Sequence, residues 1–216
     1  MPNLYTLIIH FSFVIGQQPL QLHSGQYKNV FHEPFSVEQC KFYVSAIRVT
    51  GSSGEMQTLP EEPRLVDAAD TASLTIRIGT SIPAITKISF NIGVDSATNT
   101  GGVHTGDLDP MLGMFWTWNT GYIDARFEGQ SDSAHAPAHR FTWDVGGYRP
   151  GVDATRQVDL PLSPGTSQKI DIRADLLQWF DGPHPIHLSQ TPICHQPGPL
   201  AMQLADNYAT MFSIGG

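Results

Sequence analysis

The chain is 216 residues long and carries 20 acidic against 12 basic side chains, a formal net charge of −8. That balance argues against nucleic acid, because phosphate binding needs a clustered basic surface and the lysines and arginines here are scattered. No apolar run reaches membrane-spanning length, so no transmembrane segment is expected, and residues 1–216 read economically as a single domain.

In chain order, Leu4 to Val14 reads as the first strand. A secretory leader is a poor description of it, since it lacks a basic start, is interrupted by His10 and Ser12, and no small-residue cleavage site follows promptly. Further strands are expected over 41–50, 73–79, 85–94, 114–128, 140–148, 156–161, 168–172 and 185–190, most of them alternating as half-buried antiparallel strands do. Gly51-Ser52-Ser53-Gly54 and Ser163-Pro164-Gly165-Thr166 are turn clusters rather than linkers. Asp175 to Phe180 suits a short helix closed at Asp181-Gly182, with the glycine as left-handed cap. A second helix is expected from Pro199, because Leu200, Leu204, Tyr208 and Met211 recur at three- to four-residue spacing. The expected fold is all-β, an antiparallel β-sandwich with one or two short helices, one near the C-terminus.

Cys40 and Cys194 fit one disulfide or two buried thiols, and no Cys-x-x-Cys pair suggests zinc or redox work. The loop from Asp95 through Asn99 to Asp107 and Asp109 collects oxygen donors of the kind calcium takes, though without EF-hand spacing, and Asp and Asn also serve as plain turn residues. His104 lies in that loop. His135 and His139 fall in a polar stretch where four-residue spacing has no helical meaning, and His184 and His187 flank Pro185. His10 faces away from Phe11 and Phe13 in the first strand and is the best substitute imidazole there, or else a structural histidine. No Gly-x-Ser-x-Gly, His-Glu-x-x-His or phosphate-binding glycine loop is present, which argues against an enzyme.

The most informative run is Met114-Phe115-Trp116-Thr117-Trp118-Asn119-Thr120-Gly121-Tyr122, with two of the four tryptophans beside an acidic turn. As one strand it sets Trp116, Trp118 and Tyr122 on the face of Asp124, Arg126 and Glu128, opposite Ile123, Ala125 and Phe127. The alternative is a bulge near Asn119-Thr120-Gly121 that resets the register and returns both indoles to the core. An exposed aromatic face would suit a noncatalytic binding or adhesion module that stacks on a glycan or a protein.

Together with Val14-Ile15-Gly16-Gln17-Gln18-Pro19-Leu20, Lys41 to Ile47, Arg64-Leu65-Val66-Asp67, Ile88 to Asp95, Val145-Gly146-Gly147-Tyr148 and Pro197 through Asp206-Asn207-Tyr208 to Phe212, this run resembles the MbnP-like copper-binding family over nearly the whole chain. The resemblance implies a periplasmic or extracellular β-sandwich. It implies copper binding after a tryptophan has been oxidised to kynurenine by a MauG-like dihaem cytochrome c peroxidase partner. Trp116 and Trp118 match the aromatic block of the family, and Trp118, nearer the Asn119-Thr120-Gly121 break, is the favoured target. Relatives commonly carry imidazole where this chain reads Asp144, and often another near Phe13. A carboxylate is a poor donor for copper(I), so Asp144 shifts or weakens a site rather than preserving it, and His10 and His104 become the substitute imidazoles.

Overall fold

The computed structural model describes residues 4–60, 62–102, 104–118, 121–163 and 168–215. In chain order the first strands are β1 (Tyr5–Ile15), β2 (Gln18–Pro19), β3 (Tyr27–Lys28), β4 (Pro34–Gly51), β5 (Met56–Thr58), β6 (Arg64–Asp67), β7 (Thr75–Thr80) and β8 (Ile85–Ile92). After the short helix α1 (Ser96–Thr100) come β9 (Phe115–Trp116), β10 (Gly121–Tyr122), β11 (Ala125–Gln130), β12 (Arg140–Val145), β13 (Arg156–Pro161) and β14 (Lys169–Asp175). The chain closes with β15 (Ile193–Cys194), helix α2 (Pro199–Tyr208) and β16 (Phe212–Ile214).

Strict alternation builds the first layer. Leu7, Ile9, Phe11, Phe13 and Ile15 of β1 are buried on one side, and β1 sits between β7 and β14 in a five-stranded sheet that β2 and β16 complete. The second layer is a nine-stranded sheet whose path runs β13-β8-β4-β11-β12-β15, with β3, β5 and β6 also paired to β4. At 18 residues β4 is its hub. It turns its edges to new partners where the register against β8 shifts between Ser45 and Arg48, at a bulge centred on Ala46 with φ of 48°.

The sheets are mixed. The expectation of a purely antiparallel sandwich fails at two places, because β14 runs parallel to β1 over seven residue pairs and β15 runs parallel to β12. Both are long-range returns of the chain, which hairpin connections cannot make and which local alternation does not encode.

Between the layers Phe11 meets Phe42, Phe90 and Phe212 edge-on, with centroids 5.7, 5.9 and 6.4 Å apart. Further along, Trp143 and Trp179 stack at 6.1 Å and 15°, and Phe127, Phe141 and Phe180 close around them. Both cysteines are free and buried, which settles the choice left open by their count. Burial pushes both thiols up, Cys194 to about 11.

Three other expectations are corrected. The span 185–190 is not a strand: Pro185 makes one bridge to Asp181, and the loop is instead pinned by the buried Glu33 carboxylate, which accepts from the Leu188 and Ser189 amides, the Ser189 hydroxyl and Asn29 at 2.7–3.0 Å. Leu176–Trp179 is a 3-10 turn capped by Asp175, and it ends at Phe180 in right-handed conformation. Gly182 is small for another reason, since a Cβ there would lie 2.7 Å from Asn207 Oδ1. The third is the expected strand 114–128, which is broken into β9, β10 and β11. Helix α2 does begin at Pro199 and buries Leu204 and Tyr208, while Met211 is buried just beyond it. The turn expected at 163–166 lies, apart from Ser163, outside the described residues.

Burial pushes the Glu33 carboxyl up, but the hydrogen bonds from Asn29, Ser189 and the Ser189 and Leu188 amides outweigh it and hold the group below the ordinary range. Its stabilisation is therefore present above the unfolded-state value of about 4.3 and is lost as pH falls through the lower folded-state value. Glu33→Ala should cost about 3 kcal/mol at neutral pH in urea denaturation, with the gap to the unmutated protein closing in acid.

Candidate functional site

A sheet whose outer face is also apolar needs a third layer. Tyr43 of β4 and Leu65 of β6 are paired neighbours that point away from the main core, where Phe42 and Val66 point in. The segment 94–123 folds over them, and Val94, Leu108, Met114, Trp116, Tyr122 and Ile123 complete a second, smaller cluster. Local hydrogen bonds shape this cover. The Asp95 side chain caps α1 through the Thr98 amide at 2.7 Å, and the Asn99 side chain accepts from the Tyr122 amide at 2.8 Å. Tyr43 and Tyr122 donate their hydroxyls to the Asp107 and Leu108 carbonyls at 3.0 and 2.8 Å.

β9 and β10 form a small hairpin in which Trp116 opposes Gly121. Its turn takes the two indoles apart in exposure while keeping them in contact. Trp116 is 5% exposed within the cluster, whereas Trp118 is 64% exposed at the turn, with ring centroids 5.7 Å apart. Neither expectation for this run holds for both rings. A shared exposed face would need Trp116 and Tyr122 at the surface, and both are buried; a return of both indoles to the core would need Trp118 buried. The Asn119 and Thr120 positions of the expected bulge lie outside the described residues.

Trp118 borders a hollow of about 210 Å³ together with Tyr148, Arg149, Gln196 and Pro197. The Arg149 guanidinium sits 5.7 Å over the Tyr148 ring. Glycine lets the hairpin pack closely beside it: a Cβ on Gly146 would lie 2.5 Å from the Tyr122 carbonyl and 3.1 Å from Trp116, and one on Gly121 would lie 3.1 Å from Tyr148. The Val145-Gly146-Gly147-Tyr148 block is thus the seat on which the tryptophan hairpin rests.

Asp144 precedes that seat. Its carboxylate is nearly buried and accepts a forked pair of hydrogen bonds from Arg126 of the adjacent strand, at 2.6 and 3.0 Å. Arg126 also lies 3.2 Å from Glu128, whose carboxyl is pushed up by burial against the pull of Arg126. On the other side, His195 Nδ1 lies 3.7 Å from Asp144 Oδ2.

His10 and His104 are placed elsewhere. His10 bonds Thr75 at 3.0 Å on the outer side of the five-stranded sheet, opposite Ile9 and Phe11, so both sheets stand between it and the tryptophan hairpin. His104 sits beside the second cluster, 6.3 Å from the Tyr122 ring, with Nε2 on the Thr98 carbonyl at 3.0 Å. The calcium donors are occupied as structural caps: Asp95 on α1, Asp107 on Arg64 and the Leu65 amide, Asp109 on the Met111 amide. Among the described residues no group of three or more His, Cys, Asp or Glu is disposed to hold a metal ion, and calcium has no support.

Two stacked sheets with a third, tryptophan-bearing layer on the larger one define a mostly-β sandwich that presents one exposed indole at a hollow. A family model described as MbnP matches residues 5–196, and the chain belongs to that family. The fold is similar to that of MbnP from Methylosinus trichosporium, with a TM-score of 0.65 over 99% of each chain at 12% sequence identity. No curated protein matches.

Asp124 is the charge defect of this region. It is 1% exposed, Oδ1 accepts from the Val94 amide at 2.9 Å, and Oδ2 has no hydrogen-bond partner. Burial pushes its carboxyl well above the ordinary range. A raised carboxyl keeps its proton when the unfolded chain has lost it, so stability falls as pH rises above about 4. Asp124→Asn removes that proton linkage. The variant should therefore gain on the unmutated protein between acid and neutral pH, by about 1.4 kcal/mol for each unit of displacement removed, in paired urea titrations.

Proposed function

We propose that this chain is an exported copper-handling protein of the MbnP family, in which metal binding depends on oxidation of Trp118 to kynurenine by a dihaem peroxidase-like partner. The observation that carries the reading is the hairpin: one indole is presented to solvent at 64% exposure, in ring contact with a second that is buried. A protein partner can reach Trp118 directly. Trp143 and Trp179, at 0% exposure inside the main core, are out of reach.

The unmodified donor set does not fit copper. An indole offers no ligand, and the Asp144 carboxylate is engaged by Arg126 and is in any case a poor donor for copper(I). Cleavage of the indole C2–C3 bond changes that set. Two equivalents of hydrogen peroxide, reduced to water at the partner's haems, supply two oxygen atoms to give N-formylkynurenine, and hydrolysis releases formate and leaves an aryl amine beside a ketone. Copper bound there would have nitrogen donors, which suit it. The chain's own residues supply the rest: Trp116 backs the reacting ring, Gly146 and Gly121 let the hairpin seat closely against Tyr122, Trp116 and Tyr148, and Tyr148 and Arg149 wall the hollow. This is a binding role, with no catalytic residue assigned.

The competing reading is a stacking module. Trp118 with Tyr148 and Arg149 around a shallow hollow also suits a sugar ring, although burial of Trp116 and Tyr122 leaves a single exposed aromatic platform there instead of three.

Incubation with the dihaem partner and peroxide should convert Trp118 to kynurenine and leave Trp143 and Trp179 intact, as located by peptide mass mapping. Copper(I) affinity, read by competition with a chromophoric chelator, should rise at least about tenfold with conversion, since a tenfold gain needs only about 1.4 kcal/mol. Unchanged tryptophans with an active partner, together with binding to a glycan array, would favour the stacking module.

A further inference from the structure

We infer that the outer face of the five-stranded sheet carries a binding site for a tetrahedral oxyanion, centred on Arg173 and flanked by Ser12 and Ser213. Strand register brings the three together. Ser12 of β1 lies opposite Arg173 of β14, and Arg173 lies opposite Ser213 of β16. Their chain neighbours Phe11, Phe13, Ile172, Ala174 and Phe212 are buried in the main core, so all three side chains stand on the solvent side, with both serines exposed. Neighbouring strands are about 4.8 Å apart, which sets a hydroxyl on each flank of the guanidinium. This face belongs to the sheet that does not carry the tryptophan hairpin, and the inference does not depend on the copper reading.

Arg173 differs from the arginines that the fold uses up. Arg64, Arg126, Arg140 and Arg156 each have a carboxylate oxygen at 2.6–2.7 Å. Among the described residues Arg173 has none: its one hydrogen bond runs from Nη2 to the Gly16 carbonyl at 2.8 Å, and its buried Nε–H has no partner. The acids beside it on β14 are taken, Asp171 by Lys169 at 3.2 Å and Asp175 by the Gly16 and Leu177 amides at 2.8 and 3.1 Å. A guanidinium cannot shed its charge, so this one is a fixed cation, anchored by a single carbonyl and short of acceptors. The hydroxyls beside it are barely engaged. Ser213 makes no side-chain hydrogen bond among the described residues, and Ser12 makes one long one, 3.5 Å to the Ile172 carbonyl. Guanidinium and two hydroxyls together offer donors to three oxygens, which matches phosphate or sulfate better than the two oxygens of a carboxylate. Further along the face, Lys169 and Arg77 flank Ile8 on either side. Three cations thus stand against Asp171 and Asp175, a local excess of positive charge on a chain whose net charge is −8.

The experiment uses the full-length, unoxidised protein with inorganic phosphate and sulfate as probes, at fixed ionic strength made up with chloride. In ¹⁵N spectra the Arg173 Nε–H signal should shift saturably with either oxyanion, while those of the ion-paired Arg126 and Arg156 stay in place. Ser12→Ala combined with Ser213→Ala, at two exposed positions, should weaken binding at least about tenfold, since it removes two hydrogen bonds to a charged group. Arg173→Gln should abolish it. An Arg173 signal that does not move, an equal shift with chloride alone, or full affinity in the double serine variant overturns the inference. Vesicles of phosphatidylglycerol separate the two sources of such a group. No co-sedimentation is expected, because the row presents hydroxyls and no apolar anchor, and capture that depends on Arg173 would overturn the free oxyanion in favour of a lipid headgroup.

Discussion

Everything about the tryptophan corner follows from one constraint: the larger sheet is apolar on both faces near the middle of β4. Phe42 and Val44 point into the main core, but Tyr43 between them, paired with Leu65, must also leave water. A strand so placed cannot face solvent, and the chain answers with the 94–123 cover. The cover is built less from regular structure than from side chains that terminate short turns, with Asp95, Asn99, Asp107 and Asp109 each holding a backbone or guanidinium group. Those are the residues whose composition resembles a calcium loop. Their oxygens are committed to the fold before any ion arrives.

The same geometry explains why an acidic residue is tolerated at 144. β11 and β12 are neighbours, and their outward positions put Arg126 beside both Asp144 and Glu128 at the edge of the third layer. A buried carboxylate is costly alone and tolerable when paired through a guanidinium fork. A neutral side chain at 144 would leave Arg126 with Glu128, so Asp144 is part of a local charge balance as well as part of the corner. Asp124, two residues before Arg126, has no such partner, and its carboxyl is correspondingly driven toward the neutral form.

What was legible in the sequence is what depends on local periodicity. The strand expected at 156–161 is β13, the one at 85–94 is β8 within two residues, and the hydrophobic spacing after Pro199 is α2. Where tertiary contacts decide, the pattern misled. Residues 114–128 alternate well enough for one long strand, yet Tyr43 and Leu65 demand burial of Met114, Trp116, Tyr122 and Ile123 together, and one straight strand cannot turn the consecutive residues Tyr122 and Ile123 into the same cluster. Likewise Glu33 reads as an ordinary loop acid, because its four donors lie on Asn29 and on a segment more than 150 residues away. His195 carries no motif either. Only the exposed–buried–exposed sequence of Ile193, Cys194 and His195 hints that it faces outward, and its pairing with Asp144 depends on a parallel return that no local signal marks.

The four tryptophans show how one residue type is divided between packing and presentation. Trp143 satisfies its indole N–H on the Thr191 carbonyl at 2.8 Å and stacks on Trp179 among four other rings, where oxidation would require opening the main core. Trp116 is held by a lighter layer, wedged over Gly146, with one ring edge against Trp118. Removing Trp118 from the surface would have been easy for a protein selected only for stability, since a 64% exposed indole contributes little burial and leaves apolar area in water. Packing therefore accounts for three of the four indoles. The fourth is left at the rim of a hollow beside Tyr148 and Arg149, where packing does not account for its exposure.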